Sequence, residues 1–258
     1  RKIACQNLKG GTGKTTTVVS LASCLAGKDK KVLILDVDVQ GNIKESFGID
    51  HKLTMYDLLI NDAFVEDCIV KARENIDCII SNNTLASCEL QLSAMPRREE
   101  TLKIRMRHID QTSRYDFVLI DCSPSLSLLN QNALLYADEI IIPISMDYLA
   151  MLGATQVIDN LAMIKKYYEK QLIITGVIPT FYEKRTNMSQ EVMEALRDTY
   201  KEKVFPAIRL DTKIKQASSA NQTIFEVDKQ SRGAEDYNQI CEVLLDEKKS
   251  VKEYTKAG

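Results

Sequence analysis

The sequence predicts an α/β fold, a mostly parallel twisted sheet with helices on both faces. Three observations carry that expectation. Six short apolar runs recur along the chain, at Lys2–Cys5, Lys31–Leu35, Ile76–Ile80, Phe117–Ile120, Glu139–Ile144 and Leu172–Ile178. Nearly continuous apolar runs of this length are the pattern of strands buried on both faces of a parallel sheet. Amphipathic stretches separate them, and a repeated strand–helix order places helices against the sheet. A glycine-rich turn then joins the first run directly to the first helix.

The elements follow in order. The first strand runs into the glycine turn, and a helix over Thr15–Ala26 opens immediately after it. Arg98–Ile109 and Met188–Tyr200 carry apolar residues three and four positions apart, so each is expected as one amphipathic helix. Gly233–Leu245 closes the pattern. Hydrophobic residues make up 45% and charged residues 27% of the 258, enough apolar material for a sizeable core. No Pro-, Gly- or Ser-rich stretch marks a linker, so the chain is expected to be one domain over 1–258, the last ~12 residues forming a polar tail.

Composition also excludes some function classes. The seven cysteines are odd in number and widely spaced, with no CxxC pair, as reduced and buried thiols of a cytoplasmic protein would be. No apolar run approaches the ~20 residues of a membrane span, and no charged-then-apolar leader precedes the first strand. The chain starts at Arg1 rather than Met. The net charge of −2 argues against a protein coated in positive charge but leaves a local basic patch open.

The chemistry concentrates in Lys9-Gly10-Gly11-Thr12-Gly13-Lys14-Thr15-Thr16. Strand, glycine loop, Lys-Thr, helix is the context of a phosphate-binding loop. Glycines let successive backbone N–H groups turn toward phosphate oxygens, the helix N-terminus adds partial positive charge, and Lys14 reaches the terminal phosphates. Thr15 supplies a hydroxyl for Mg²⁺. Two carboxylates, Asp36 and Asp38, leave the C-terminal end of the second strand, the sheet edge where ligands of open α/β folds bind. A third, Asp121, ends the apolar strand after Tyr115-Asp116, in the position from which an aspartate supports Mg²⁺ near phosphates.

The common phosphate loop has a glycine where Leu8 stands here, and Lys9 follows it. Lys-Gly-Gly-x-Gly-Lys-Thr-Thr resembles the deviant loop of the ParA/MinD ATPases, a subgroup of P-loop NTPases. The segment Asp36-Val-Asp38-Val39-Gln-Gly-Asn resembles that family's D-x-D-P-Q-G-N switch, with Val39 in place of proline, and Asp121-Cys-Ser123-Pro-Ser resembles its D-x-P-P-S stretch. Gly176 to Asn187 is similar to the family's later strand and its Arg-Thr loop. The resemblance runs from about residue 2 to about residue 245.

What the resemblance implies is a slow Mg²⁺-dependent ATPase that closes into a sandwich homodimer around two ATP molecules. Lys9 would cross to the partner's nucleotide, Lys14 would hold its own, and Asp38 would position the attacking water. Residues 9 to 16 would bind nucleotide, Thr15, Asp36 and Asp121 would form the metal site, and the adenine contacts would lie near Thr180 and Asp211. The family's partition members act in the cytoplasm on the nucleoid, bind DNA without sequence preference, and are released by a ParB-like partner. Between Glu183 and Lys215 eight basic residues face six acidic ones, and Lys184, Arg185, Arg209 and Lys213 are the candidate DNA contacts. Solvated salt bridges would account for any one of them equally well. The end of the chain, Glu247–Gly258, has too little apolar content for a MinD-like membrane helix. The cysteines do not reproduce the cluster ligation of the nitrogenase iron-protein relatives. Two alternatives stay open: a ParA-like ATPase that positions a protein cargo, and a P-loop kinase or ligase acting on a small substrate.

Overall fold

The computed structural model describes residues 1–246, so the expected polar tail and the terminal stretch weighed as a membrane helix lie outside the described residues. Seven strands form one sheet: β1 Lys2–Cys5, β2 Val32–Asp36, β3 Val70–Arg73, β4 Ile76–Ile79, β5 Phe117–Asp121, β6 Glu139–Ser145 and β7 Ile173–Thr180. Their order is β3-β4-β2-β5-β1-β6-β7. All neighbours run parallel except β3 with β4. The expected α/β architecture is present. The sequence pattern does not reveal β3, because Val70-Lys71-Ala72-Arg73 is a short, charged edge strand whose polarity reads as loop.

Twelve helices accompany the strands among the described residues. After β1 comes α1 Lys14–Ala26, and between β2 and β3 lie α2 Asn42–Phe47 and α3 Met55–Ile60. Between β4 and β5 are α4 Cys88–Ser93, α5 Thr101–Arg105 and α6 Arg107–Thr112, and α7 Leu128–Tyr136 and α8 Tyr148–Tyr168 flank β6. Past β7 run α9 Asn187–Tyr200, α10 Thr212–Ser219, α11 Ile224–Val227 and α12 Arg232–Leu245. The single helix expected over Arg98–Ile109 is corrected to a 3₁₀ turn at Arg98–Glu100 followed by α5 and α6. Leu102, Met106 and Ile109 still face the core, but Met106 at ψ 0 breaks the backbone between the two short helices.

Alternation along the strands divides the core into two layers. Val32 and Ile34 of β2 join Ile3, Leu119 and Ile141 against α1 and α12. Leu33 and Leu35 join Ala4, Val118, Ile120 and Ile142 against α3, α7 and α8. Apolar burial on both faces holds the strands rigid, so the turns that leave their C-terminal ends share one edge. No helix among the described residues is long and apolar enough to cross a membrane.

Candidate functional site

The glycine turn follows β1 at that edge and crosses into α1. Gly11 and Gly13 have φ of 74° and 85°, left-handed conformations that a side chain resists. Gly13 sits at the N-terminus of α1, whose first turn therefore presents unpaired N–H groups to the loop. Lys14 is only 6% exposed, and its ammonium donates to the Lys9 carbonyl at 3.0 Å, folding the side chain back over the loop. The Thr12 carbonyl accepts from the Thr180 hydroxyl at 2.9 Å, which ties the loop to the end of β7.

Thr15 and Asp121 meet although 106 positions separate them. The Thr15 hydroxyl donates to Asp121 Oδ2 at 2.7 Å, while Asp121 Oδ1 is buried with no hydrogen-bond partner. Burial first, and then the negative charge of Asp38, push the Asp121 carboxyl up to about 7, against the pull of Thr15 and Lys14. A hydroxyl and an unsatisfied carboxylate oxygen are hard donors suited to Mg²⁺, which keeps several of its waters. The residues present fit such a cation, and its charge would favour the ionised carboxylate.

Asp36 and Asp38 have different tasks despite their spacing. Asp36 Oδ1 accepts from the Asp38 N–H at 3.0 Å and Oδ2 from the Ile43 N–H at 3.3 Å, so this carboxylate shapes the turn after β2. Its pKa is well above the ordinary aspartate value, raised first by complete burial and then by Asp121, its register partner on β5. Both Asp36 oxygens are thus engaged by backbone N–H groups, unlike Asp121 Oδ1. Asp38 is 6% exposed, with Oδ1 on the Gln40 N–H and its carbonyl held by the Ser81 hydroxyl. Val39, in place of proline, packs against the core, so the turn is fixed by these bonds instead of by a proline ring.

Lys9 is not a free loop charge. Its ammonium lies 2.5 Å from Asp147 Oδ1, and its N–H donates to Asn7 Oδ1 at 2.9 Å. Asn7 in turn donates to the carbonyls of Pro143 and Ala150. Sequence reasoning missed Asn7 and Asp147; the available signal for Asp147 was an aspartate preceding an apolar helical run, the pattern of an N-cap. A cleft of about 570 Å³ opens here, lined by Lys9, Gly10, Asp147, Phe181 and Glu183 among others. On the opposite side of the loop, Thr180 and Asp211 line a narrower apolar cleft with Thr16, Ile208, Leu210 and Tyr237.

The four basic candidates separate. Lys184 and Arg185 are exposed in the turn between β7 and α9, and Lys213 is half-buried at the start of α10; among the described residues none of the three has an ion pair. Arg209 differs from these three: its guanidinium pairs with Glu235 at 2.5 Å and Asp236 at 2.7 Å. Asp236 is 4% exposed, so Arg209 neutralises a buried carboxylate on α12.

Comparison with known proteins identifies relatives along nearly the whole chain. The family described as AAA domain matches residues 1–174, and the family of 4Fe-4S iron sulfur cluster binding proteins, NifH/frxC family, matches residues 125–255. All seven cysteines here are free and buried. The sporulation initiation inhibitor protein Soj of Bacillus subtilis is 39% identical over 241 residues, covering 91% of this chain and 94% of that protein. The chromosome partitioning protein ParA of Caulobacter vibrioides is 32% identical over 250 residues, covering 95% and 94%. Cobyrinic acid a,c-diamide synthase of Mycobacterium smegmatis, solved with an ATP analogue and magnesium, superposes with a TM-score of 0.83 at 30% identity, covering 97% and 96%.

Proposed function

This chain belongs to the ParA/MinD family of P-loop ATPases, and we propose that within it the protein is a partition ATPase whose ATP-bound homodimer binds DNA without sequence preference. It is an ATPase, with ATP and Mg²⁺ as its nucleotide and metal. For the catalytic centre, the observation that carries the reading is the Thr15–Asp121 contact beside a loop with two lysines. For partition, it is the Soj and ParA likeness over nearly the whole chain.

Each residue then has a task. Backbone N–H groups from Gly10 to Thr16 surround phosphate oxygens, and Lys14, already folded over the loop, compensates their charge. Thr15 and Asp121 would hold Mg²⁺, which would supply Lewis acidity at the phosphates when bound. Asp38, carried on a turn fixed by Asp36 and Ser81, accepts a hydrogen bond from the attacking water and orients it. Lys9 places a second cation on the partner's nucleotide, so that ATP links two subunits. Lys184, Arg185 and Lys213 form the DNA patch, doubled by dimerisation, and a ParB-like protein triggers hydrolysis and release. The protein works as a single ATPase unit in the cytoplasm, on the nucleoid.

The test is binding to a random DNA duplex with ATP, ADP or no nucleotide at two salt concentrations, beside the Lys184→Ala/Arg185→Ala variant. Binding that needs ATP, falls steeply with salt and weakens in the variant supports partition. ATP-dependent dimerisation without any DNA binding overturns it in favour of a protein cargo. Turnover that requires a small acceptor molecule, with no dimer, points instead to a P-loop kinase or ligase acting on a small substrate.

A further inference from the structure

Lys9 cannot sit on its own Asp147 and reach a partner's nucleotide at once. In this structure it is held at home by a built contact. Asp147 Oδ1 takes the Lys9 ammonium at 2.5 Å and the Ala150 N–H at 3.0 Å, while Oδ2 takes the Ser145 hydroxyl at 2.6 Å. Asp147 is thereby the N-cap of α8 and the counter-ion of Lys9 together. Partial burial pushes its carboxyl up, but the bonds from Lys9, Ser145 and Ala150 outweigh that and hold it below the usual aspartate range.

The backbone under Lys9 is fastened to the same helix. Asn7 joins the Lys9 N–H to the carbonyls of Pro143 and Ala150, and α8 approaches so closely that only Gly153 fits opposite Asn7 and Lys9. The loop and the N-terminus of α8 are therefore one packed unit in which the Lys9 side chain has a resident partner.

We propose that Asp147 is an internal latch for Lys9, an acid that retains the lysine in its own subunit and must release it before ATP can join two subunits. This rests on the reading of Lys9 as the cation that crosses the dimer. The latch sets a threshold: nucleotide phosphates on the partner must outcompete Asp147, and a triphosphate, carrying more charge than a diphosphate, does so better. It is also a relay, because the same carboxylate caps α8 and would lose one of its partners when Lys9 leaves.

The size of the effect follows from exposure. Lys9 and Asp147 side chains are 31% and 32% exposed, so the pair is screened and resembles a surface bridge. Breaking such a pair weakens an equilibrium about 1.5- to 5-fold, and two latches open per dimer, so the dimer dissociation constant carries roughly a 2- to 25-fold penalty.

The experiment is sedimentation velocity over a protein concentration series with Mg²⁺ and a non-hydrolysable ATP analogue, for wild type, Asp147→Asn, Lys9→Ala and the double variant. Asparagine caps helices as well as aspartate does, so Asp147→Asn removes the charge without removing the cap. The expected result is a dimer at roughly 2- to 25-fold lower concentration in Asp147→Asn, with the gap narrowing at high salt. Lys9→Ala should fail to dimerise, and the double variant should match it. An Asp147→Asn dimer as weak as wild type or weaker, with Lys9→Ala still monomeric, overturns the latch and leaves the crossing lysine standing. Normal dimerisation of Lys9→Ala overturns the crossing lysine itself, and the latch with it.

Discussion

Replacing Gly153 with alanine sets two effects of opposite sign against each other. In an unconstrained helix interior the change stabilises by about 1 kcal/mol, since alanine loses less backbone entropy and leaves less backbone exposed. At this position on α8, a Cβ would fall well inside contact distance of Asn7 Oδ1 and 3.1 Å from the Lys9 nitrogen. Asn7 cannot swing away cheaply, being fully buried and tethered at 2.9 Å to Lys9, 2.8 Å to Pro143 and 3.3 Å to Ala150. Overpacking costs ~1–3 kcal/mol, and each buried hydrogen bond that is lost adds ~1 kcal/mol. The clash wins, with a net loss of about 3 kcal/mol after the helix gain, or a fall in Tm of roughly 6–12 °C for a chain of this size. Thermal unfolding followed by circular dichroism reads it, and ATP affinity should fall as the displaced Asn7 moves the Lys9 backbone. With alanine already at position 7, adding Gly153→Ala should cost far less, because the clash and the bonds have gone. A Gly153→Ala protein as stable as wild type would refute the reasoning.

Other substitutions separate chemistry from structure. Asp38→Ala should leave nucleotide-bound dimer in sedimentation but lower turnover about 100-fold or more in a phosphate-release assay, the size typical of a lost positioned proton acceptor. Arg209→Ala should lower stability by ~1–3 kcal/mol, discounted for the partial exposure of the guanidinium, and barely change the salt slope of DNA binding; Lys184→Ala should do the reverse, and a stable Arg209→Ala with lost DNA binding would restore Arg209 to the DNA surface. For Asp211, partial burial raises the pKa, but the N–H groups of Lys213 and Gly233 outweigh it and hold the carboxyl below 3.8. The stability this contributes is present above 3.8 and disappears as pH falls through the lower folded value. Asp211→Ala should therefore be destabilised by ~1–2 kcal/mol at neutral pH in denaturant melts, with the difference from wild type shrinking as pH falls below 3.8.

The catalytic half of the site was legible because its parts are local. A strand, a glycine loop and Lys14-Thr15 occupy consecutive positions, and Asp121 is marked by ending an apolar strand, so Thr15 and Asp121 could be assigned to one cation before their 2.7 Å contact was seen. Spacing could not separate Asp36 from Asp38, since a two-residue period places both on the same side, and only the fold shows both Asp36 oxygens taken by backbone N–H groups while Asp38 has one oxygen so engaged. The resident partner of Lys9 was illegible for a different reason. Asp147 is 138 positions away and reads locally as a helix cap, which it also is. The partner of Arg209 was illegible in the same way: a basic residue in a basic stretch carries no local sign that α12 brings Asp236 beside it. Charge pattern reports what a residue can pair with, and tertiary packing decides whether the pairing has already happened.

That distinction also explains the electrostatic character of the site. Asp36, Asp38 and Asp121 converge at one sheet edge in a nearly dry environment, where burial first, and then neighbouring negative charge, raise the pKa of Asp36 and of Asp121. A core under selection for stability alone would not gather three carboxylates there with one oxygen of Asp121 left unsatisfied. The strain is relieved by positive charge, and Lys14 provides one such charge from within the loop. The remaining deficit is met by a divalent cation, and the phosphates that accompany it then call for more positive charge than Lys14 can give. Lys9 is the available source, and in the isolated subunit it is already paired. In the proposed latch, the same lysine has two neutralisations, one internal through Asp147 and one across a dimer, and the nucleotide's charge would select between them.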